Sequence, residues 1–396
     1  NFSIAATGTP PTRPHMLLFN YANTHAIVAN DISGHILFFN TTSKLVVGSI
    51  DTGTQAHAAI PSPDDTFVVV VNRNTKLVQR ILTNYATNTF TWDTNATLNL
   101  ATCLTHNGNP CQAPTTRPDN APICPGFDRT GRYIFITLRG GGLLVADARS
   151  TPISIVAEYD YATISGLGCG VFEWNNTVYV NSGGSTNRTL NGQPAFFWKS
   201  EIYAIPSGGG YGGPPNTPVR RLLYSDSLGE YDAHGIVLVG SRYLWTFDRA
   251  ADKTVVIDTT NDNVTSIFST ESVWNDKPAT DLADISTDGQ RIYVSLRGRF
   301  PLSGAHLAVG LFPGVAVLEP LNGGATGRIV DILNLTTSGF EDPHAIRILR
   351  TSTATGGSFG DPHVRTLSGM VITYSGEGDV IMLQEPSRGL KYVNRW

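Results

Sequence analysis

The chain runs to 396 residues, 41% of them hydrophobic and 15% charged, with a formal net charge of −4. That much apolar material supplies one large core or two ordinary ones, while a near-neutral balance without a basic run excludes the electrostatic footprint of a nucleic-acid binder. No apolar run approaches the length of about 18 residues expected of a transmembrane segment, and with no basic-then-apolar leader before Asn1 the chain reads as a mature product.

Taken in order, the sequence is a succession of short Val, Ile, Phe, Tyr and Leu runs separated by clusters of Gly, Pro, Asn, Asp and Ser, almost without helical periodicity. Many short strands, and an all-β protein, are predicted. The first four are His15-Met-Leu-Leu-Phe, His25-Ala-Ile-Val-Ala-Asn, His35-Ile-Leu-Phe-Phe-Asn and Lys44-Leu-Val-Val-Gly-Ser-Ile. The same order returns 42 positions later from His57, with Thr66-Phe-Val-Val-Val-Val-Asn placing Asn72 on Asn30. A repeat of this length predicts a β-propeller rather than a sandwich.

Four cysteines follow, Cys103, Cys111, Cys124 and Cys169, none in a CxxC pair with metal-type spacing. Two disulfides are expected. Three pairings are open, and the favoured one joins Cys103 to Cys111 across Thr105-His-Asn-Gly-Asn-Pro and Cys124 to Cys169 between neighbouring blades.

Further along, Thr130-Gly-Arg-Tyr-Ile-Phe-Ile-Thr-Leu-Arg-Gly matches Asp288-Gly-Gln-Arg-Ile-Tyr-Val-Ser-Leu-Arg-Gly. Unit starts then fall at His15, His57, near Ala121, near Gly168, His234, Asp281 and His344, which makes seven blades over residues 1–350. Inserts such as Ser207-Gly-Gly-Gly-Tyr-Gly-Gly-Pro-Pro belong on the rim. Only His344-Ala-Ile-Arg-Ile-Leu is clear in the last unit, so closure falls to Asn1-Phe-Ser-Ile or to the segment after 350, with six blades as the alternative.

Units such as His25-Ala-Ile-Val-Ala-Asn-Asp-Ile-Ser-Gly-His-Ile and Ala56-His-Ala-Ala-Ile-Pro-Ser-Pro-Asp-Asp resemble the YVTN, or lactonase-like, propeller repeat from residue 15 to about 350. The resemblance implies the fold and is almost silent on activity. Residues 351–396 form a short C-terminal β segment, in which Gly360-Asp-Pro-His-Val-Arg-Thr-Leu-Ser-Gly-Met-Val-Ile-Thr-Tyr resembles the first strands of a von Willebrand factor D domain. These residues are either the start of such a domain or blade-closing strands. In some relatives the Asp–Pro bond of this motif breaks spontaneously in mild acid, which makes Asp361, Pro362 and His363 the autocleavage candidates; the competing reading is a plain Gly-Asp-Pro turn.

Sequons at Asn1, Asn40, Asn95, Asn175, Asn187, Asn263 and Asn334 could each accept an N-glycan. With the disulfide-type cysteines they point to an extracellular or cell-surface location.

For chemistry, the innermost strand of each blade lines the channel, so His15, His57, His234, Asp281 and His344 are expected near one axis, a ligand set for a divalent metal. The competing reading makes them packing residues bonded to neighbouring blades. Glu230, Asp232 and His234 gather at one inner edge, as carboxylates for acid–base work or as caps of backbone groups. Arg139 and Arg297, in the repeated Leu-Arg-Gly, read as fixing neighbouring blades in preference to an anion site. No GxSxG, P-loop, HExxH or CxxCH motif occurs.

The expected function is a non-enzymatic structural or adhesive glycoprotein, a subunit of an extracellular assembly or filament with other protein subunits and glycans as partners and no required cofactor. Two alternatives stand beside it: a lactonase-like hydrolase with a metal or acid–base site in the channel, and a carbohydrate-binding module using loop aromatics such as Tyr211.

Overall fold

In the computed structural model the described residues are 2–350, apart from 184–187, 191–192, 196–198, 212–216, 227–230, 273–276, 301–307 and 336–341. Backbone alone is described for 188–190, 193–195 and five short strands beyond 350, Gly357–Phe359, His363–Arg365, Val371–Ile372, Asp379–Ile381 and Val393–Arg395.

Among the described residues, six four-stranded antiparallel sheets form the blades of a β-propeller. Blade 1 runs through Pro14–Phe19, His25–Asn30, His35–Asn40 and Val46–Asp51, and blade 2 through Ala56–Pro61, Phe67–Asn72, Leu77–Asn84 and Thr89–Asn99. Blade 3 comprises Pro122–Phe127, Tyr133–Leu138, Leu143–Asp147 and Ser154–Tyr159, and blade 4 Val171–Trp174, Thr177–Ser182, Ser200–Pro206 and Arg221–Asp226. Blade 5 comprises Ala233–Val239, Tyr243–Asp248, Lys253–Asp258 and Asn263–Ser269, and blade 6 Thr280–Ile285, Ile292–Leu296, Gly314–Leu321 and Thr326–Asn334.

The patterning follows from this packing. A second strand lies between two neighbouring blades, so both its faces are buried, and Phe67-Val-Val-Val-Val-Asn and Tyr133-Ile-Phe-Ile-Thr-Leu are buried at every position. An outermost strand has one free edge and is mostly exposed, as in Asn263-Val-Thr-Ser-Ile-Phe-Ser. Tight hairpin turns place Asn23, Asp65 and Asn88 at φ of 57°, 58° and 54°, the left-handed region Asn and Asp tolerate better than most residues.

Specific contacts fix each blade on the next. The Phe38 and Phe90 rings stack with centroids 3.8 Å apart across blades 1 and 2, and Gly48 leaves room for Phe90, which any side chain there would strike. Arg80 of blade 2 donates to the carbonyls of Ala148 (2.7 Å) and Ser150 (3.2 Å) in blade 3 while paired with Asp93. Trp245 of blade 5 is fully buried and donates its indole N–H to the Gly324 carbonyl of blade 6 at 2.7 Å.

Closure of the ring corrects one expectation. Phe2–Thr7 is a short helix against the outermost strand of blade 1, tied by Ser3 Oγ to Ser49 Oγ at 2.8 Å, so Phe2-Ser-Ile is no closing strand. Seated at the periphery and followed by Pro10 and Pro11, it does not reach the channel. Instead, residues 342–350 pack between blades 6 and 1 at the seventh position. There Arg347 donates to the Ala283 carbonyl (2.9 Å) and the Ile348 N–H to the Asp284 carboxylate (2.8 Å), while the His344 and His15 rings stack with centroids 4.0 Å apart.

Both expected disulfides are present. Cys103–Cys111 closes a loop whose Thr105 and Asn109 side chains donate to Glu158 at 2.8 and 2.9 Å, and Cys124–Cys169 links the inner edges of blades 3 and 4.

Candidate functional site in the channel

The site begins with a backbone irregularity. In five blades the pairing of the first two strands shifts register near the channel end: between Pro14 and Met16, Ala56 and Ala58, Pro122 and Pro125, Ala233 and Ile236, and Thr280 and Ala283. The residues left over in these bulges are His15, His57, Ile123–Cys124, His234–Gly235 and Asp281–Leu282. A bulge takes a side chain out of the regular alternation and re-aims it, and here it turns one ligand-type side chain per blade inward. Cys169, just before blade 4, and His344, in the seventh unit, complete the series: His, His, Cys, Cys, His, Asp, His.

Carbonyls at these inner positions are bonded by the preceding blade. Thr137 Oγ1 donates to the Gly168 carbonyl (2.7 Å), Asn181 Nδ2 to that of His234 (2.9 Å) and Ser295 Oγ to that of His344 (2.9 Å). Gly235 is obligatory, since a Cβ there would collide with the Asp281 carbonyl oxygen of the next blade.

The structure brings together all five predicted channel residues. His15 Nε2 lies 3.1 Å from His57 Nε2, and His15 stacks on His344. His344 Nδ1 is 3.0 Å from Asp281 Oδ2, and His234 Nδ1 is 2.5 Å from Asp281 Oδ1. That last pair lacks the alignment of a hydrogen bond, so both atoms are left without a hydrogen-bond partner, as is His344 Nε2. All five residues are buried.

Two guanidiniums surround this cluster. Arg249 donates to Asp281 Oδ2 at 2.9 Å and pairs with Asp232, and Arg297 is bidentate on Asp342 at 2.7 Å through both bonds. Burial, then the charges of His344 and His57, depress the His15 imidazole well below its usual range, and burial above all does the same for His57. Burial and then Arg249 take His234 down to about 3. Burial pushes the Asp281 carboxyl up, but Arg249, His234 and His344 outweigh it and hold the group well below the ordinary carboxylate range. Burial raises Asp232 to about 6 against the pull of Arg249. At neutral pH the site therefore presents an ionised Asp281 beside neutral imidazoles at His15, His57 and His234, the forms that ligate metal ions.

Arg297 ties blade 6 to the seventh unit through Asp342, whereas Arg139 pairs with Asp119 in the approach to its own blade, at 2.5 Å. Arg139 and Arg297 are two members of a larger set. Arg73 and Arg249 occupy the same place, immediately after a second strand, and Arg73 pairs with Asp31 of the preceding blade at 3.3 Å. The signal was present in Val-Val-Asn-Arg73 and Phe-Asp-Arg249, masked by differing neighbours. Asp232 is a partner of Arg249 rather than a backbone cap, and Glu230 lies outside the described residues.

A second buried polar group went unread. Glu201 and Tyr203 alternate along the strand Ser200–Pro206 and share a face, with Lys199 two positions before Glu201. Glu201 accepts from Ser165 Oγ and Tyr203 OH at 2.5 Å each and from Lys199 Nζ at 3.0 Å, pinning the segment before blade 4.

Tyr211 does not fit the role of an exposed sugar platform. It is 3% exposed and packs edge-on against Tyr133, and its N–H donates to Asp128 at 3.1 Å. Among the described sequons, Asn95, Asn175, Asn263 and Asn334 are exposed, and Asn40 is half-buried with its side-chain Oδ1 accepting from the Thr42 and Ser43 N–H groups. Asn1, Asn187 and the Asp361–Pro362 bond lie outside the described residues, as does the His363 side chain.

No protein-family model and no curated protein matches the sequence. Among solved structures the chain is similar to hydrazine synthase of Kuenenia stuttgartiensis (TM-score 0.53, 13% identity, 78% of each chain). It is also similar to a Bacteroides fragilis protein described as a 6-phosphogluconolactonase (TM-score 0.53, 13% identity, 84% of this chain and 87% of that one). A third likeness is to the β-propeller domain of Myceliophteria thermophila Cps50 (Swd1) (TM-score 0.53, 8% identity, 85% of this chain and 91% of that one). At these identities the shared property is the propeller fold.

Proposed function

We propose that this propeller is a secreted, N-glycosylated structural protein, a rigid subunit of an extracellular assembly, without catalytic activity. The observation that carries this reading is the placement of the sequons: Asn95, Asn263 and Asn334 are exposed on the outermost strands of blades 2, 5 and 6. An outermost strand presents unpaired backbone groups to any passing strand, and natural proteins guard such edges. The strand Asn263–Ser269 contains no charged residue at all, so a glycan at its first position serves that purpose. The two disulfides suit the same oxidising compartment. The likeness of residues 360–374 to a von Willebrand D domain supports membership of a larger assembly, with cleavage at Asp361–Pro362 as one route to maturation.

The test is the intact mass of the native protein before and after glycosidase and reduction, with electron microscopy of the same preparation. Glycans at the outer-strand sequons and ordered oligomers or filaments are expected. An unglycosylated chain that stays monomeric at high concentration would overturn the reading.

A hydrolase acting at the channel is the second reading, favoured by the convergence of His234, Asp281 and His344. Lactone hydrolysis abolished by Asp281→Asn would select it over the structural role.

A further inference from the structure

The channel cluster invites a conclusion independent of the assembly reading. His234 comes from blade 5, Asp281 from blade 6 and His344 from the seventh unit, so the three meet at the seam where the ring is completed. Their ligand atoms lie within 4.8 Å of one another, and all three side chains are buried.

Two features point to a cation. The first is that His234 Nδ1 and Asp281 Oδ1, 2.5 Å apart without hydrogen-bond alignment, and His344 Nε2 are buried with no hydrogen-bond partner among the described residues. Leaving such groups unsatisfied is costly, and an ion that they can ligate removes the cost. The second is orientation. The other oxygen of Asp281 already accepts from Arg249 (2.9 Å), the outer-shell bonding that fixes metal-ligating carboxylates.

We propose that His234, Asp281 and His344 bind one divalent transition-metal ion, and that this ion clasps the seventh unit to blades 5 and 6. Two imidazoles and a carboxylate suit zinc or iron in preference to calcium or magnesium, which take oxygen ligands. His15, stacked on His344, holds that ring in place from blade 1.

The test uses the full chain. After equilibration with Zn2+ and dialysis into metal-free buffer, inductively coupled plasma mass spectrometry is expected to find one zinc per chain, and a chelator is expected to lower the melting temperature. Co2+ in place of zinc is expected to give a visible ligand-field spectrum. His234→Gln keeps the volume and a polar end, and with its fold confirmed by circular dichroism it is expected to lose at least about tenfold in zinc affinity. Zinc absent from the wild-type protein after equilibration overturns the proposal without recourse to a variant. Equal retention by wild type and a folded His234→Gln also overturns it, since the metal then sits elsewhere.

Discussion

The inner and outer strands of the same blades follow opposite rules. At the channel, ionisable residues are buried and paired across blades, and His234 and Asp281 are set on bulges that break the ladder. At the rim, Asn263–Ser269 keeps its ladder on one side, offers a free edge on the other and carries no charge. The blade-to-blade specificity of this propeller is concentrated in inner polar groups and a few interface aromatics, while the outer strands are left to face solvent.

The sharpest way to break that contrast is at Arg249. Its side chain is 1% exposed and bridges Asp232 and Asp281, so Arg249→Ala strands two buried carboxylates. Breaking a buried pair by removing one partner costs about 3–5 kcal/mol. Denaturant unfolding is expected to show a loss of that size; a loss below about 1 kcal/mol, the level of an exposed pair, would mean that water reaches the channel.

Next in size is the inner disulfide. Cys124 and Cys169 are 45 positions apart, and removing such a link costs about 2–4 kcal/mol, mostly by releasing the unfolded chain. The Cys124→Ala, Cys169→Ala double variant is expected to melt lower by that amount and to keep the wild-type β circular-dichroism spectrum, because the blade 3–4 contact also rests on Thr137 and Gly168.

A third prediction concerns pH and lies between the two regions. Asp252 is raised to about 7, chiefly by burial, while accepting the Ala279 N–H at 2.7 Å. The folded protein therefore holds this proton more tightly than the unfolded chain, whose aspartates titrate near 4. Its contribution to stability is present at low pH and is lost as the pH rises through 7. Asn cannot ionise, keeps an acceptor for Ala279 and suits the φ of 49° at this position. Asp252→Asn is expected to stabilise the protein by at least about 1 kcal/mol more at pH 8 than at pH 5. An equal gain at both values would locate the effect in packing.

The contrast also explains what could be read from the residues. Blade strands were legible because alternating exposure and fully apolar second strands leave direct marks, and the 42-position repeat placed His15 and His57 in the same role. The five channel residues followed from that register alone. The arginine set was half-hidden, because only Arg139 and Arg297 share their Leu-Arg-Gly context, while Arg73 and Arg249 reach the same place through other neighbours. Tyr211 was misjudged because glycines flanking an aromatic resemble an exposed loop, and its burial depends on Asp128, 83 positions away, capturing its N–H. The N-terminal helix escaped notice for a related reason: six residues are too few for periodicity to show.

The smallest expected effect on stability is at the rim, and it tests why the outer edge is so bare. Ile267 is 48% exposed on a strand whose only evident guard is the sequon at Asn263. Substitutions at exposed positions generally change stability by no more than about 0.5 kcal/mol, so neither Asn263→Gln nor Ile267→Lys is expected to move the melting temperature appreciably. Association is a different matter. An uncharged, β-branched edge without the proposed glycan is a template for pairing with a second chain, and a lysine on that edge opposes it. Asn263→Gln made in a glycosylating host is therefore expected to self-associate in sedimentation velocity runs, and adding Ile267→Lys to restore the wild-type species. If the single variant sediments as wild type does, no glycan guards this edge, and the protection must come from the twist of the strand, which shifts register between Val264 and Ser266.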